Sequence, residues 1–143
     1  MAHHVELEIP PRSDHLADVR LAVQHAASLD GRVPEQRVDD LRLAVSEACA
    51  NAFDAHAMIA SDSPVHVAID ADDAGIAVTV IDHAGGFDLD ELAPIPPVTD
   101  PLRLRHERGL GIPLMRALVD EVTFTRTSDG TAVRLVVHAS GHG

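Results

Sequence analysis

The order in which the hydrophobic periodicity of this chain changes is the strongest constraint on its fold. Residues 4–10 alternate apolar and polar side chains, which predicts a strand with one buried face. Apolar residues at helical spacing follow, and short alternating runs return later. The predicted elements are a strand at 4–10, helices at 13–31 and 34–60, strands at 64–70 and 76–81, a helix at 109–119, and strands at 122–126 and 132–137.

This order predicts a two-layer α/β (α+β) sandwich in which helices cover one face of a mixed β-sheet. The 143 residues fit a single domain spanning 1–143. Because the chain has no Trp and no Tyr, its core must be built mainly from Val, Leu, Ile and Ala. Prolines at 94, 96, 97 and 101 forbid a continuous helix there, so we expect a long loop at about 88–107.

The composition excludes several classes of function. A formal charge of -12 opposes direct binding to the phosphates of nucleic acid. No stretch approaches the roughly 18 apolar residues that a membrane span requires, so we expect no membrane segment. Cys49 is the only cysteine, which rules out an intrachain disulfide and favours the reducing cytoplasm.

Glu47 and Asn51 lie one turn apart on the long predicted helix, so both side chains point to the same place. An amide oxygen is a suitable ligand for Mg²⁺, which prefers oxygen donors. A carboxylate at the same place is able to take a proton from a hydroxyl nucleophile. The same pair is also compatible with an ordinary polar helix face.

Two further motifs contain glycines. Asp82 closes an apolar strand and is followed by Gly86, which would allow a flat ligand such as a nucleobase to approach the backbone. The run 108–111, which comprises Arg108, Gly109, Leu110 and Gly111, opens a predicted helix, whose free N–H groups are able to bind phosphate. Taken singly, each motif is also compatible with a simple turn.

Taken together, the three motifs resemble the N, G1 and G2 boxes of the GHKL ATPases. The resemblance narrows to the small anti-sigma-factor serine/threonine kinases, which share the Bergerat-type ATP-binding fold. It covers nearly the whole chain, and the stretches that carry it are 7–16, 43–48, 82–88, 108–111, 115–122 and 130–133.

The resemblance implies a role for each matching residue. Glu47 would be the general base for phosphate transfer from ATP, and Asn51 would hold Mg²⁺ against the phosphates. Asp82 would accept a hydrogen bond from the adenine amino group, with Thr131 supporting it through water. Gly86 would line the adenine pocket, and residues 88–107 would form the ATP lid. The residues implied to contact phosphate are Arg105, Arg108, Gly109, Leu110 and Gly111.

The resemblance also implies partners. The substrate would be a serine or threonine on an antagonist of the anti-anti-sigma (STAS) type, and a sigma factor would be held inactive. A homodimer is implied as well. Two alternatives stay open: a partner-switching module that binds ATP or ADP without transferring phosphate, and a detached catalytic domain of a histidine kinase.

Two positions depart from the family pattern. Ala84 replaces the first glycine of the G1 box, and Ala55 replaces a histidine that often follows the asparagine of the N box. His56 is one residue later, about 100° further round the helix, so the role of that histidine does not transfer to it. The ten histidines show no spacing typical of a metal site, and we expect them to be solvated.

Overall fold

A computed structural model of the chain describes residues 2–30, 32–84 and 111–139. The predicted order of elements is confirmed within these ranges, and the predicted lid at 88–107 lies outside them. None of the described helices is long and apolar enough to cross a bilayer. The elements are β1 (His3–Ile9), a 3-10 turn (Ser13–His15), α1 (Leu16–Asp30), α2 (Glu35–Met58), β2 (Val65–Asp72), β3 (Gly75–Ile81), α3 (Gly111–Leu118), β4 (Glu121–Arg126) and β5 (Thr131–His138).

The five described strands form one sheet in the order β1-β2-β3-β5-β4. All four pairings are antiparallel, so the mixed sheet expected from the sequence is wrong for the described strands. The physical reason lies in the last hairpin. β4 runs in the same direction as β3, but β5 folds back between them and separates the two strands that would have paired in parallel.

The helices cover one face of this sheet. α1 packs against β1 and β2, and α2 packs against β3 and β5. Alternate residues of β2 point into the core, and Val65, Val67 and Ile69 are fully buried. The core is aliphatic, as expected from the composition, and Phe53 is the only buried phenylalanine among the described residues. The largest fully buried apolar side chains are Leu41, Ile69, Met115 and Leu135.

Arg37, in the first turn of α2, joins three elements. Its Nη1 donates to the carbonyl oxygen of Leu118 at 2.9 Å and to Asp40 at 2.9 Å, while Nη2 donates to Asp120 at 3.1 Å. The other oxygen of Asp120 accepts from the backbone N–H of His138 at 2.8 Å. The guanidinium therefore binds the end of α3 to α2 and, through Asp120, to the end of β5.

We expect the Arg37–Asp120 junction to weaken in acid. The His138 N–H, and then Arg37, hold the pKa of Asp120 below its ordinary value of 3.8. A depressed folded pKa means that the stabilisation is present above about pH 3.8 and is lost as the pH falls through the folded pKa. Asp120→Asn should lower the free energy of unfolding by about 0.5–1 kcal/mol at neutral pH, since water screens this partly exposed pair.

Urea unfolding of the wild type and Asp120→Asn at neutral pH and at about pH 3 tests this expectation. The difference between the two proteins should shrink at the lower pH. Asp62→Asn, an exposed change in the loop between α2 and β2, is the control and should show little difference at either pH. A difference that stays constant between the two pH values would contradict the assignment.

Candidate functional site

Asp82 follows the last residue of β3 and is bonded to the start of β5 through both its backbone and its side chain. Its N–H donates to the carbonyl oxygen of Thr131 at 2.9 Å, and the Thr131 N–H donates to Asp82 Oδ1 at 3.3 Å. The N–H of Ala84 donates to the same Oδ1 at 3.1 Å. No described residue bonds Oδ2. The carboxylate is thus held in one orientation, with its second oxygen left to accept a hydrogen bond from a ligand.

Gly130 lets the β4–β5 turn approach Asp82 closely. A Cβ on residue 130 would lie 1.9 Å from the carbonyl oxygen of Asp82 and 2.7 Å from its Oδ1. Real Cβ atoms essentially never approach backbone atoms so closely. The position therefore requires glycine because of the contact with Asp82.

His83 makes a second link to the same turn. Its Nδ1 donates to Asp129 Oδ2 at 2.9 Å, and this hydrogen bond lowers the pKa of Asp129. The His83 ring also contacts the ring of His66, edge to face, with 4.8 Å between the ring centroids. The loop that leaves β3 is consequently fastened to β5 and to the turn before it.

Glu47 and Asn51 lie on α2 with half-buried side chains, as does Asp54. They form a polar stripe that runs beside the buried stripe of the helix. This partial burial shields the groups from bulk water while leaving them within reach of a ligand. The buried stripe consists of Leu41, Ala44, Val45, Ala48 and Ala52, as the sequence predicted.

Cys49 is fully buried beside the apolar stripe, on the side away from Glu47 and Asn51. Burial raises the pKa of its thiol to about 12, because the thiolate would lose its hydration. The group is therefore a neutral core side chain at physiological pH and does not serve as a nucleophile. Among the described residues, no group of three His, Cys, Asp or Glu side chains is arranged to hold a metal ion.

His56 is the only buried polar or charged residue in the described part of the chain, with none of its surface exposed. Its Nε2 accepts a hydrogen bond of 2.9 Å from the backbone N–H of His83. The expectation that all ten histidines are solvated is therefore wrong for His56. The physical reason is that the last turn of α2 faces the loop after β3, which offers an unpaired N–H.

α3 packs against α2, and the carbonyl oxygen of its last residue, Leu118, accepts a hydrogen bond from Arg37 in the first turn of α2. Gly111, the first residue of α3, lies about 10 Å from that junction along the axis of α3. The free N–H groups at this end of α3 are suited to bind an anion such as phosphate.

Ala84 replaces a family glycine without visible strain. Its side chain is buried, and its backbone is not in the left-handed region that favours glycine, since Ala60 is the one non-glycine described residue there. The extra methyl group is therefore accommodated at this position.

The structure brings together part of the predicted site. Asp82 and Thr131 are in direct contact, and Glu47 and Asn51 share one stripe of the helix that His56 connects to the Asp82 loop. Gly111 begins α3. The remaining predicted site residues lie outside the described ranges, and they are Gly86, Arg105, Arg108, Gly109 and Leu110.

Sequence reasoning did not assign a site role to His56 or Gly130. Gly130 had a local signal, because it lies in a turn between two strands, but that signal did not indicate its contact with Asp82. His56 had none beyond its closeness to the N box. Both contacts join residues far apart in sequence.

Comparison with known proteins identifies the family to which the chain belongs. Residues 9–137 match the family model of the histidine kinase-like ATPase domain. The serine-protein kinase RsbW of Bacillus subtilis is 30% identical over 98% of this chain and 88% of its own length. RsbW of Bacillus pumilus is 34% identical over 89% of this chain and 81% of its own. The chain belongs to the RsbW family of serine-protein kinases.

Solved structures agree with the RsbW fold. A chain in the crystal structure of the SiaB–SiaC complex from Pseudomonas aeruginosa matches with a TM-score of 0.66 at 14% identity, covering 93% of this chain and 88% of that one. A structure of RsbU and RsbW domains from Mycobacterium tuberculosis has a TM-score of 0.65 at 18% identity. It covers 96% of this chain, which spans 32% of that longer chain. The predicted family, the two-layer α/β fold class and the class of enzyme are confirmed.

We expect Gly130→Ala to damage this RsbW-type site and the fold together. The new methyl group would collide with the carbonyl of Asp82, and backbone atoms have little room to move. The free energy of unfolding should fall by about 1–3 kcal/mol, as for other overpacked positions. Urea unfolding measures the loss.

Ser128→Ala is the matched control, because Ser128 is exposed in the same turn. It should change the free energy of unfolding by no more than about 0.5 kcal/mol. Equal stability of Gly130→Ala and the wild type would show that the turn does not press against Asp82 in solution.

Proposed function

We propose that this RsbW-family chain transfers the γ-phosphoryl group of ATP to a serine or threonine of an anti-anti-sigma protein and also sequesters a sigma factor. The observation that carries the proposal is the fixed carboxylate of Asp82, linked through His56 to the helix that bears Glu47 and Asn51. Similarity to serine-protein kinases over nearly the whole chain supports it.

The adenine ring is proposed to bind at Asp82. Two backbone N–H groups occupy Oδ1, so Oδ2 is left to accept from the exocyclic amino group of adenine. Guanine has a carbonyl at that position and would offer no donor. The side chain of Thr131 is proposed to support the contact through water, and Gly86 is proposed to line the pocket. This arrangement gives a physical basis for selecting ATP or ADP over guanine nucleotides.

The phosphates are proposed to lie along α2 toward Glu47. His56 marks the adenine end, and Asn51 and Glu47 follow at about 7 and 14 Å along the helix axis. The N–H groups at the start of α3, from Gly111, would face the phosphates, together with Gly109 and Leu110. Arg105 and Arg108 are proposed to neutralise phosphate charge.

Mg²⁺ is proposed to be held by the amide oxygen of Asn51. When bound, the ion would neutralise the phosphates during transfer. The donor chemistry fits, because Mg²⁺ takes one or two protein oxygens and completes its shell with phosphate and water.

Glu47 is proposed to act as the general base. The serine oxygen attacks the γ-phosphorus, the bond from that phosphorus to the oxygen bridging the β-phosphate breaks, and ADP leaves. The hydroxyl proton passes to the Glu47 carboxylate. Glu47 is half-buried in the polar stripe of α2, so its carboxylate would be within reach of a docked hydroxyl.

Proposals about assembly, location and nucleic-acid binding complete the description, and the phosphate transfer does not depend on them. We propose that the chain acts as a homodimer in the cytoplasm, without binding nucleic acid directly. The charge of -12 opposes contact with phosphate backbones, and the single free cysteine suits a reducing compartment.

A second candidate function is a partner-switching module that binds nucleotide without transferring phosphate. The observation in its favour is Ala55, which stands where the N box often has a histidine. Transfer of the γ-phosphoryl group to the antagonist distinguishes the two candidates, since both require nucleotide binding.

Thermal unfolding with nucleotide tests the adenine site. Mg-ADP at about a hundred times its Kd should stabilise the wild type by about 2.7 kcal/mol, or about 5–10 °C. In Asp82→Asn, the N–H groups of Ala84 and Thr131 should donate to the side-chain amide oxygen of the new asparagine. Its NH₂ group would then face the adenine amino group, so two donors would oppose each other. We therefore expect affinity to fall about tenfold or more while the apo protein stays folded.

Asp18→Asn, exposed on α1, is the matched control and should keep the full shift. Mg-GDP should not reproduce the shift in the wild type. An unchanged shift in Asp82→Asn would remove this residue from the adenine pocket.

Glu47→Gln separates binding from chemistry. The amide has almost the same shape but does not take up the serine proton, so phosphate transfer should fall about a hundredfold or more. Nucleotide affinity should stay within about threefold of wild type, because Glu47 lies away from the adenine end. Transfer of label from γ-labelled ATP to a purified anti-anti-sigma protein measures the first quantity, and calorimetry measures the second.

Glu35→Gln, on the first turn of the same helix, is the control and should leave transfer unchanged. Wild-type rates in Glu47→Gln would exclude the role of Glu47 as base. If the wild type binds nucleotide and the antagonist but never transfers label, the second candidate function is correct.

A further inference from the structure

We propose that His56 is a positioning residue. It fixes the loop that bears Asp82 relative to α2, the helix that bears Glu47 and Asn51. This inference rests on the proposed nucleotide site. The Nε2 atom of this fully buried side chain accepts the N–H of His83, the residue directly after Asp82. The hydrogen bond joins α2, which bears Glu47 and Asn51, to the loop that bears Asp82.

The backbone of His56 is itself fixed by the way α2 ends. Its carbonyl oxygen accepts from the N–H groups of Ile59 at 3.2 Å and Ser61 at 2.9 Å, while the Ala60 N–H bonds to Ala57 at 3.1 Å. Ala60 has a φ of 51°, the left-handed conformation that closes a helix with this pair of bonds. The last turn of α2 therefore gives the imidazole a defined starting point.

Three consecutive N–H groups after β3 are held from three different directions. The N–H of Asp82 bonds to β5, that of Ala84 bonds back to Asp82, and that of His83 bonds to α2. Only the bond from His83 reaches the helical layer. Without it, the loop would keep its register with β5 but lose its link to α2.

Burying the polar side chain of His56 is unfavourable for the stability of the fold, so filling space in the core does not explain why a histidine is there. In the tautomer whose Nε2 accepts from His83, the hydrogen resides on Nδ1, and that buried atom has no hydrogen-bond partner among the described residues. A buried donor without a partner destabilises the fold, so an aliphatic side chain would serve better as mere filling. The hydrogen bond to His83 is the favourable interaction that an aliphatic side chain would not make.

The link to the His83 N–H requires a hydrogen-bond acceptor at the position of Nε2, and it requires neither an aromatic ring nor a charge. His56→Gln keeps an acceptor oxygen at a similar distance from the backbone, whereas His56→Leu fills the space without one. The two variants therefore separate the hydrogen bond from packing.

Calorimetric titration of the full chain with Mg-ADP is the test, together with thermal unfolding of the apo proteins. His56→Leu should weaken ADP binding about five- to tenfold, and His56→Gln should stay within about threefold of wild type. Val38→Ala is the control for lost stability, because Val38 is buried in the first turn of α2, away from the loop. It should lower the melting temperature while leaving the Kd unchanged.

Equal ADP affinity in His56→Leu and the wild type would overturn the inference, as would equal weakening by Leu and Gln. The amide of His83 gives a readout that does not need nucleotide. Its hydrogen exchange should be protected in the wild type and His56→Gln, and faster in His56→Leu. A wild type that protects this amide yet binds no Mg-ADP would overturn the proposed function and leave the hydrogen bond itself established.

Discussion

The antiparallel pairing of β5 with β3 is the constraint on which the rest of the site depends. It brings the turn at Gly130 against the end of β3, where the two backbones come so close that no side chain fits between them. The same pairing lets Thr131 hold Asp82 through one backbone–backbone hydrogen bond and one from the Thr131 N–H to the Asp82 carboxylate. The orientation of one carboxylate, and with it the base specificity proposed for the site, thus follows from the register of two strands.

The helical layer adds the second half of the site. Burying the aliphatic stripe of α2 against β3 and β5 leaves the stripe with Glu47 and Asn51 half-buried at the edge of the core. Arg37 fixes one end of this helix to α3 and β5, and His56 connects its other end to the loop after β3. The helix is therefore held at both ends, and the groups proposed to act on phosphate lie between the two attachments.

The departures from the family pattern have different structural consequences. Ala84 fits because its backbone conformation does not require glycine and its N–H still bonds to Asp82. The shift of the histidine from position 55 to 56 turns the side chain from the neighbourhood of the polar stripe into the core. There it meets the backbone of the neighbouring layer rather than solvent.

The sequence by itself determined the order of the elements, the aliphatic core and the shared stripe of Glu47 and Asn51, because hydrophobic period and helical spacing are local properties. It also carried the motifs that identify the ATPase family. Only the tertiary structure decided that β5 separates β3 from β4, that Gly130 must be glycine, and that His56 is buried against His83. Each of these depends on contacts between residues distant in the chain, and such contacts leave no periodic signal in the sequence.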